Sequence, residues 1–267
     1  MSKSSVRPPA VAGLFYPDDP AELRQIVRDL LDHAPADAGP RQPPKALIVP
    51  HAGYVYSGAV AASAYRRLRD SAPAIRTVVL VGPSHRVPMR GLAMPSCDAF
   101  STPLGQVPVD DAARQHLREC GLAGVADAPH AHEHSLEVQL PFLQAVLGEF
   151  SVLPIATGIV PPGLVAAALE AVWNGPETLI VVSSDLSHYH TYKEAQLLDD
   201  ESTRAILDRR SDLPEGQACG ASGINGLMEV ARRKGLVVRL LDQRNSGDTA
   251  GDRSRVVGYG SYTLDAA

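Results

Sequence analysis

The stretch ALIVPHAGYVYSG, residues 46–58, predicts the fold of this chain. Its first four residues form a short apolar run, which is typical of a strand buried on both faces of a sheet. A polar segment with His51 follows, and a helix is predicted from about Ser57 to Leu68. Apolar runs at Thr77–Val81 and Thr178–Val182 also lead directly into polar segments, GPSHRVP and SSDLSHYH. Such strands, alternating with helices, indicate an α/β fold with a mostly parallel central sheet flanked by helices.

The remaining segments extend this pattern along the chain. Asp19 and Pro20 are suited to begin a first helix, and Gly235 is suited to end the last one. Other helices are expected at Ser135–Leu147, Pro162–Trp173, Tyr192–Leu207 and Ile224–Lys234, and other strands at Phe150–Ile155, Val237–Leu241 and Val256–Leu264. The segment PADAGPRQPP, 35–44, is expected to be a surface loop, because too little chain precedes it to form a core. Residues 1–267 are therefore predicted to form a single domain.

The composition excludes several classes of protein. The 267 residues are 45% hydrophobic and 21% charged, which is ordinary for a globular enzyme. A net charge of −5 does not attract nucleic acid or an anionic membrane, and no apolar run is long enough for a signal peptide or a membrane span. Three widely spaced cysteines are not a disulfide framework. We therefore expect a reduced, cytoplasmic protein.

Polar side chains follow three of the predicted strands, where those strands end. His51 follows the first strand, His85 the second, and Asp185 and His188 the third. Ligands of open α/β sheets bind beyond the carboxyl ends of the strands, so these residues converge if the strands are neighbours. Two imidazoles with one anionic ligand suit a first-row transition metal. The candidates for the third ligand are Asp185, Glu133, Glu137 and Cys219.

Each candidate also has a structural interpretation. Asp185 can cap a helix or hold a turn, and a histidine at a strand end is often only hydrogen-bonded. In the HxHxH segment, His130 and His132 are interpreted as a mobile surface loop, whereas His134 is expected to face the crevice. Cys219 lies just before a helix, which lowers the pKa of a thiol. The other two cysteines, Cys97 and Cys120, are interpreted as packing residues.

Seven motifs in order resemble one known family. They are PAVAGLFYP, PHAGYVYSG, GPSHRVP, EHSLEVQLPFL, SSDLSHYH, ACGASGI and NSGDTAGDRSRVVGYG, spread from about Pro9 to Gly260. The chain resembles the Memo family, of the AmmeMemoRadiSam system protein B type. The resemblance implies the LigB-like fold of class III extradiol dioxygenases. It also implies a functional link to radical-SAM and AMMECR-type proteins.

The resemblance assigns roles to particular residues. The two histidine ligands of the family correspond to His51 and His85, and the third ligand, a cysteine, corresponds to Cys219. Asp185 and His188 correspond to residues that line the same pocket, with His188 in the position of an acid/base. Many relatives have a basic residue after the Cys-Gly pair, whereas this chain has Ala221. This difference weakens any transfer of substrate identity.

Three functions remain open at this stage. The first is a dioxygenase-like oxidoreductase that acts on an unidentified aromatic or oxidisable small molecule. It would hold a divalent metal, with Fe(II) as the preferred candidate. There His188 would transfer protons, oriented by Asp185, and His134 and the Ser246–Asp248 loop would line the mouth. The second is a non-catalytic protein that binds a metal or a peptide in a relic pocket. The third is a zinc-dependent hydrolase; a thiolate ligand also favours zinc or copper.

Overall fold

The computed structural model describes residues 5–35 and 42–266. The strands are β1 Val6–Arg7, β2 Ala46–Val49, β3 Thr77–Pro83, β4 Leu92–Met94, β5 Ala99–Thr102, β6 Gly105–Pro108, β7 Gly124–Val125, β8 Ser151–Thr157, β9 Thr178–Ser183, β10 His188–His190, β11 Val237–Asn245 and β12 Val256–Asp265. The α-helices are α1 Pro20–His33, α2 Tyr54–Tyr65, α3 Asp111–Glu119, α4 Ala128–Ala131, α5 Leu140–Val146, α6 Pro162–Ala171, α7 Tyr192–Leu207, α8 Ala221–Lys234 and α9 Ser246–Thr249. Segments Arg66–Ala74 and Glu137–Gln139 are 3-10 helices.

The main sheet is mixed, which corrects the prediction of a mostly parallel sheet. Its strand order is β10-β12-β2-β9-β3-β8-β4-β7, and β11 pairs with β12. The four central strands, β2, β9, β3 and β8, are parallel, as predicted, but β12 runs antiparallel to β2 and β4 runs antiparallel to β8. The chain between β11 and β12 is too short for a crossover helix, so the two strands form an antiparallel pair. A separate three-stranded sheet, β1-β5-β6, was not predicted.

The predicted site required the strands that precede His51, His85 and Asp185 to be neighbours, and the order β2-β9-β3 meets this requirement. Val49, at the end of β2, pairs with Ser183, at the end of β9, and β9 pairs in parallel with β3. The segments that carry His51, Asp185 and His85 therefore leave the sheet side by side at one edge. Adjacent parallel strands place their carboxyl ends together, so the side chains that follow them converge.

Helices cover both faces of the main sheet. Alternate residues of the strands point to opposite sides, so Leu47 and Val49 belong to one buried cluster and Ala46 and Ile48 to the other. Helices α1, α2 and α5 supply apolar side chains to the first cluster, and α3, α6, α7 and α8 supply them to the second. The central strands are consequently buried on both faces, which explains their unbroken apolar sequence.

Most predicted helices form, with shifted ends. Asp19 caps α1 through its side chain, and Gly235 ends α8 in the left-handed conformation with φ of 68°. The helix expected over Ser135–Leu147 was predicted too long, because the segment begins with turns and a 3-10 helix and becomes α-helical only at Leu140. Pro141 lacks an amide hydrogen and is suited to the first turn of a helix, which accounts for the late start. The predicted loop 35–44 lies largely outside the described residues.

Candidate metal centre

His51 is the most buried histidine of the predicted site, with 2% of its surface exposed. It follows β2, and its N–H donates to Asp185 Oδ1 at 2.7 Å. Its Nδ1 lies 2.8 Å from Ser183 Oγ, a residue of the neighbouring strand β9. These contacts fix the ring and leave Nε2 directed into the site. Burial, reinforced by nearby His85, holds the pKa of His51 well below its usual range, so the ring is neutral at physiological pH.

His85 is held by a buried carboxylate. Glu133 Oε1 lies 2.9 Å from His85 Nδ1, and Glu133 Oε2 accepts the His85 N–H at 2.5 Å. Burial alone would raise the pKa of Glu133, but His85 and the N–H groups of Ser135 and His85 outweigh burial and lower this pKa to about 2. The side chain of His85 is 29% exposed, so Nε2 faces the open side of the site.

His134 completes a cluster of three imidazoles. One ring nitrogen from each of His51, His85 and His134 lies within 4.8 Å of the other two. The His134 ring stacks on His85 with 4.8 Å between centroids and contacts Phe15 at 4.8 Å on another side. Burial lowers the pKa of His134 to about 4, although Glu133 opposes this change. The expectation that His134 faces the crevice agrees with this arrangement.

The interpretation of His130 as part of a surface loop was wrong. His130 is 2% exposed, and its Nε2 donates to the carbonyl of Ala93 at 3.0 Å. Its burial follows from α4, which packs the ring near Phe100, so His130 points away from the cluster of imidazoles. His132, two residues along the chain, is exposed. The interpretation of Cys120 as a packing residue was also wrong, since Cys120 is exposed.

Cys219 lies against the cluster, but its environment differs from the expected one. The Cys219 Sγ is 3.2 Å from His51 Nε2 and 3.3 Å from the backbone N–H of Asp185, which donates to it. Burial, with the nearby Asp185 carboxyl, raises the pKa of the Cys219 thiol. The expected lowering of this pKa by the N-terminus of α8 was therefore wrong, because desolvation of the thiolate outweighs the helix. Cys219 as third metal ligand stays a prediction.

Asp185 and His188 both lie next to the cluster of imidazoles. The expected contact, in which Asp185 orients His188, does not form between them. Burial raises the pKa of Asp185 to about 7, although the N–H groups of His51 and Ala52 oppose this rise. The carboxylate thus holds the His51 backbone rather than the His188 ring. His188 Nδ1 instead donates to the Leu186 carbonyl at 2.8 Å, because a carbonyl only accepts. Burial lowers the pKa of His188, so its ring is neutral with Nε2 unprotonated.

Comparison with known proteins identifies the family. The family model described as "Memo-like protein" matches residues 7–263. A MEMO1 family protein of Aquifex aeolicus is 38% identical over 95% of this chain and 97% of the relative. MEMO1 family proteins of Thermotoga neapolitana, at 36% identity, and Methanopyrus kandleri, at 35%, are matched over 97% of this chain and at least 98% of their own length. This chain belongs to the Memo family. No helix in the described part of this Memo protein has the length and apolar character needed to cross a membrane.

The donor groups of this Memo protein fit a divalent metal ion. His51 and His134 are kept neutral by burial, and only a neutral imidazole has a lone pair for a metal. Glu133 holds the outer nitrogen of His85, as carboxylates beside metal-bound histidines commonly do. His134 Nδ1 is buried without a hydrogen-bond partner, although Glu133 Oε1 lies 3.3 Å away. Ligation at one ring nitrogen would orient this ring and select its tautomer.

Two predicted ligands have other roles in the Memo site, and two contributors were missed. Glu133 contacts the outer nitrogen of His85 and is not itself part of the group of ligand atoms. Glu137 forms an ion pair with Arg7. Ser183 and Phe15 contact cluster histidines, yet neither was singled out in the sequence. The available signals were position and motif: Ser183 is the last residue of β9, and Phe15 stands in the PAVAGLFYP motif.

Proposed function

We propose that this Memo protein binds one divalent first-row metal ion through His51 and His85, and that it oxidises a small molecule at the open side of this site. The observation that carries the proposal is the convergence of His51, His85 and His134 within 4.8 Å at the carboxyl ends of the parallel strands. Imidazole donors suit iron, zinc and copper alike. Iron is preferred here because the family resembles the class III extradiol dioxygenases, whose fold we propose for this chain.

The third ligand has two candidates with different chemistry. His134 joins the cluster directly, whereas the Cys219 Sγ approaches it through His51 Nε2, 3.2 Å away. A neutral thiol is a poor ligand, and a metal cation favours the thiolate. We propose that Cys219 ligates with His51 and His85, as the family resemblance implies, and that His134 adds a third imidazole on the side of Phe15.

The surrounding side chains can position a substrate and move its protons. A bound metal supplies a Lewis acid that orients an oxidisable substrate and O2. His188 accepts a proton at Nε2, because its Nδ1–H is committed to the Leu186 carbonyl. Asp185, whose pKa is raised to about 7, is a second group able to exchange a proton near neutral pH. Phe15 and the half-exposed His85 border the side from which a substrate enters.

The openness of the site favours catalysis over sequestration. A protein that only stores a metal encloses it with ligands, whereas a catalytic site keeps positions open. The 29% exposure of the His85 side chain supports an open site. A zinc-dependent hydrolase is the second candidate function, because three imidazoles are also a zinc donor set that leaves one position for water.

The family resemblance suggests a cellular setting. We propose a cytoplasmic protein that acts with radical-SAM and AMMECR-type proteins in one modification pathway. Three free thiols, of which Cys120 is exposed, are compatible with a reducing compartment.

Elemental analysis of anaerobically purified protein tests the proposal. We expect near-stoichiometric iron in the wild type, loss of the metal in His51→Ala, and oxygen uptake when catechols are added. Zinc in place of iron, with turnover that does not need O2, would favour the hydrolase. A wild type that takes up no metal even when Fe(II) is supplied would contradict both enzymes and leave a binding protein.

A further inference from the structure

Tyr189 has an unusual backbone beside the proposed base His188. Its φ is 62°, and within residues 5–35 and 42–266 only Arg209 is another non-glycine residue with positive φ. In the pairing of β10 with β12, His188 opposes Val257 and His190 opposes Val256, so Tyr189 is an extra residue in a β-bulge. Glycine adopts this conformation without strain, whereas a bulky side chain does not. Strained residues of this kind cluster at functional sites.

Burial does not explain why an aromatic residue occupies the bulge. The Tyr189 side chain is 64% exposed, so little packing compensates for its strained backbone. The Tyr189 ring meets the ring of His188, the proposed base, edge-on with 5.7 Å between centroids. Bulges beside active sites commonly redirect a side chain in this way.

A guanidinium group stacks on the same ring. Arg255 Cζ lies 5.1 Å from the centroid of the Tyr189 ring. Arg255 is exposed, and no described carboxylate forms an ion pair with it. When a guanidinium stacks on an aromatic ring, its N–H groups lie in its own plane and stay free for other partners. The forked arrangement of these N–H groups matches the oxygens of a carboxylate or a phosphate. The chain as a whole carries a charge of −5, so its overall charge does not attract anions to this group.

We propose that Tyr189 and Arg255 form the selectivity element of the site, which favours small molecules with an anionic group, carboxylate or phosphate, beside the part that reaches the metal centre. This inference rests on the proposed function for the location of the reacting centre. Tyr189 provides a flat surface next to His188, and Arg255 pairs with the anion. Neither residue touches the proposed metal ligands.

Calorimetric titration with two probes tests the selectivity. We expect the metal-loaded wild type to bind 3,4-dihydroxybenzoate about tenfold more tightly than catechol, as one charge-assisted pair provides. Arg255→Gln should remove this preference and leave catechol binding unchanged. Arg253→Gln is the matched control, because Arg253 is exposed in the same loop and stacks on Tyr192 at 4.5 Å. Equal affinities in the wild type, or equal losses in the two variants, would overturn the proposal.

Replacing Tyr189 by glycine distinguishes a role of this residue in selectivity from a role in folding alone. Tyr189→Gly should keep or raise the Tm, because strain is relieved, and should abolish the preference for the anionic probe. Arg209→Gly, at the other strained position, should leave the preference intact. A Tm clearly lowered by Tyr189→Gly, with the preference retained, would mean that Tyr189 serves only the fold.

Metal-free protein distinguishes this inference from the proposed function. Anion recognition by Arg255 needs no metal, so benzoate should bind better than benzyl alcohol after the metal is removed. If the protein never takes up metal but still binds benzoate better than benzyl alcohol, only the metal proposal is contradicted and the inference about Arg255 stands. Competition by phenyl phosphate or by benzoate then identifies which anion the site prefers. Loss of benzoate selectivity in metal-free and metal-loaded protein alike would contradict the present inference.

Discussion

Glu137 and Arg7 form a buried ion pair, with 2.6 Å between Oε2 and Nη1, that holds the N-terminal segment against the loop carrying His134. The same guanidinium donates from Nε to the carbonyl of His130 at 2.7 Å and from Nη2 to that of Glu133 at 2.5 Å. One arginine, 130 positions from its carboxylate partner, therefore fixes the backbone on both sides of the segment that orients the metal centre. The carboxylate is otherwise satisfied by groups of the N-terminal segment, namely the N–H groups of Ala10 and Val11 and the hydroxyl of Tyr16.

We expect Arg7→Met to lower the free energy of unfolding by about 3–5 kcal/mol, because it leaves Glu137 charged, buried and without its cation. Urea denaturation of the two proteins measures this difference. The exposed pair Arg210–Asp212 provides the control, since its side chains are 60% and 65% exposed. Arg210→Met should cause no measurable change. Equal effects of the two replacements would contradict the importance assigned to burial.

Glu133→Gln should weaken metal binding by about 10–100-fold while the protein stays folded. The amide cannot support His85 Nδ1 with a negative charge, so the ring becomes a weaker donor. Competition with a chromophoric chelator measures the affinity. Asp199→Asn is the matched control, because it also neutralises a buried carboxylate, but one that accepts the Ser187 N–H and contacts no histidine of the cluster. If the two variants lose affinity equally, Glu133 acts through folding and not through His85.

Co(II) substitution tests the disputed third ligand. If Cys219 ligates, the Co(II) protein should have a sulfur-to-metal charge-transfer band in the near ultraviolet that Cys219→Ser lacks. We expect this band, and we expect His134→Ala to retain it while binding Co(II) less tightly. A wild type without the band, together with complete loss of metal in His134→Ala, would assign the third position to His134.

Gly220→Ala should lower the free energy of unfolding by about 1–3 kcal/mol and displace Cys219 from the centre. A Cβ at Gly220 would lie 2.6 Å from the carbonyl oxygen of Ser183, which is backbone and cannot move aside. Gly216→Ala, four residues earlier, is the control because a Cβ there meets no atom within 4 Å. Thermal unfolding and the Co(II) spectrum report the two effects. A fully tolerated Gly220→Ala would contradict the close packing of α8 on β9.

Asp199 should make stability depend on acidity in a defined direction. Burial raises its pKa above the ordinary value of 3.8, although the N–H of Ser187 opposes this rise. The charged form is thus disfavoured in the folded protein, and stability is gained as the pH falls through the raised pKa toward 3.8. Relative to Asp199→Asn, the wild type should become more stable over this range in denaturant titrations.

Asp252 provides the opposite sign for comparison. Hydrogen bonds from the Ser254 hydroxyl and N–H lower the pKa of this exposed carboxyl, so its contribution is lost as the pH falls below 3.8. Relative to Asp252→Asn, the wild type should become less stable on acidification. If Asp199 and Asp252 change stability in the same direction, the burial of Asp199 does not govern its titration.

The sequence alone determined the four parallel strands at the centre of the main sheet and the positions of His51 and His85 after two of them. The apolar runs before His51 and His85 are local signals, because a strand buried on both faces must be apolar along its whole length. The same holds for Asp19 and Gly235, whose roles at helix ends depend on their immediate neighbours. Such features need no knowledge of which segments meet in space.

The tertiary structure decided what depends on distant segments. His134 reaches the cluster, and His130 turns away from it, because Arg7 and Glu137 anchor the intervening loop to the N-terminal segment. The thiol of Cys219 is neutral because the fold buries it beside Asp185, and desolvation outweighs the helix terminus that the sequence displays. Burial and pairing are properties of the assembled chain, so neither the orientation of His130 nor the state of the thiol follows from local sequence.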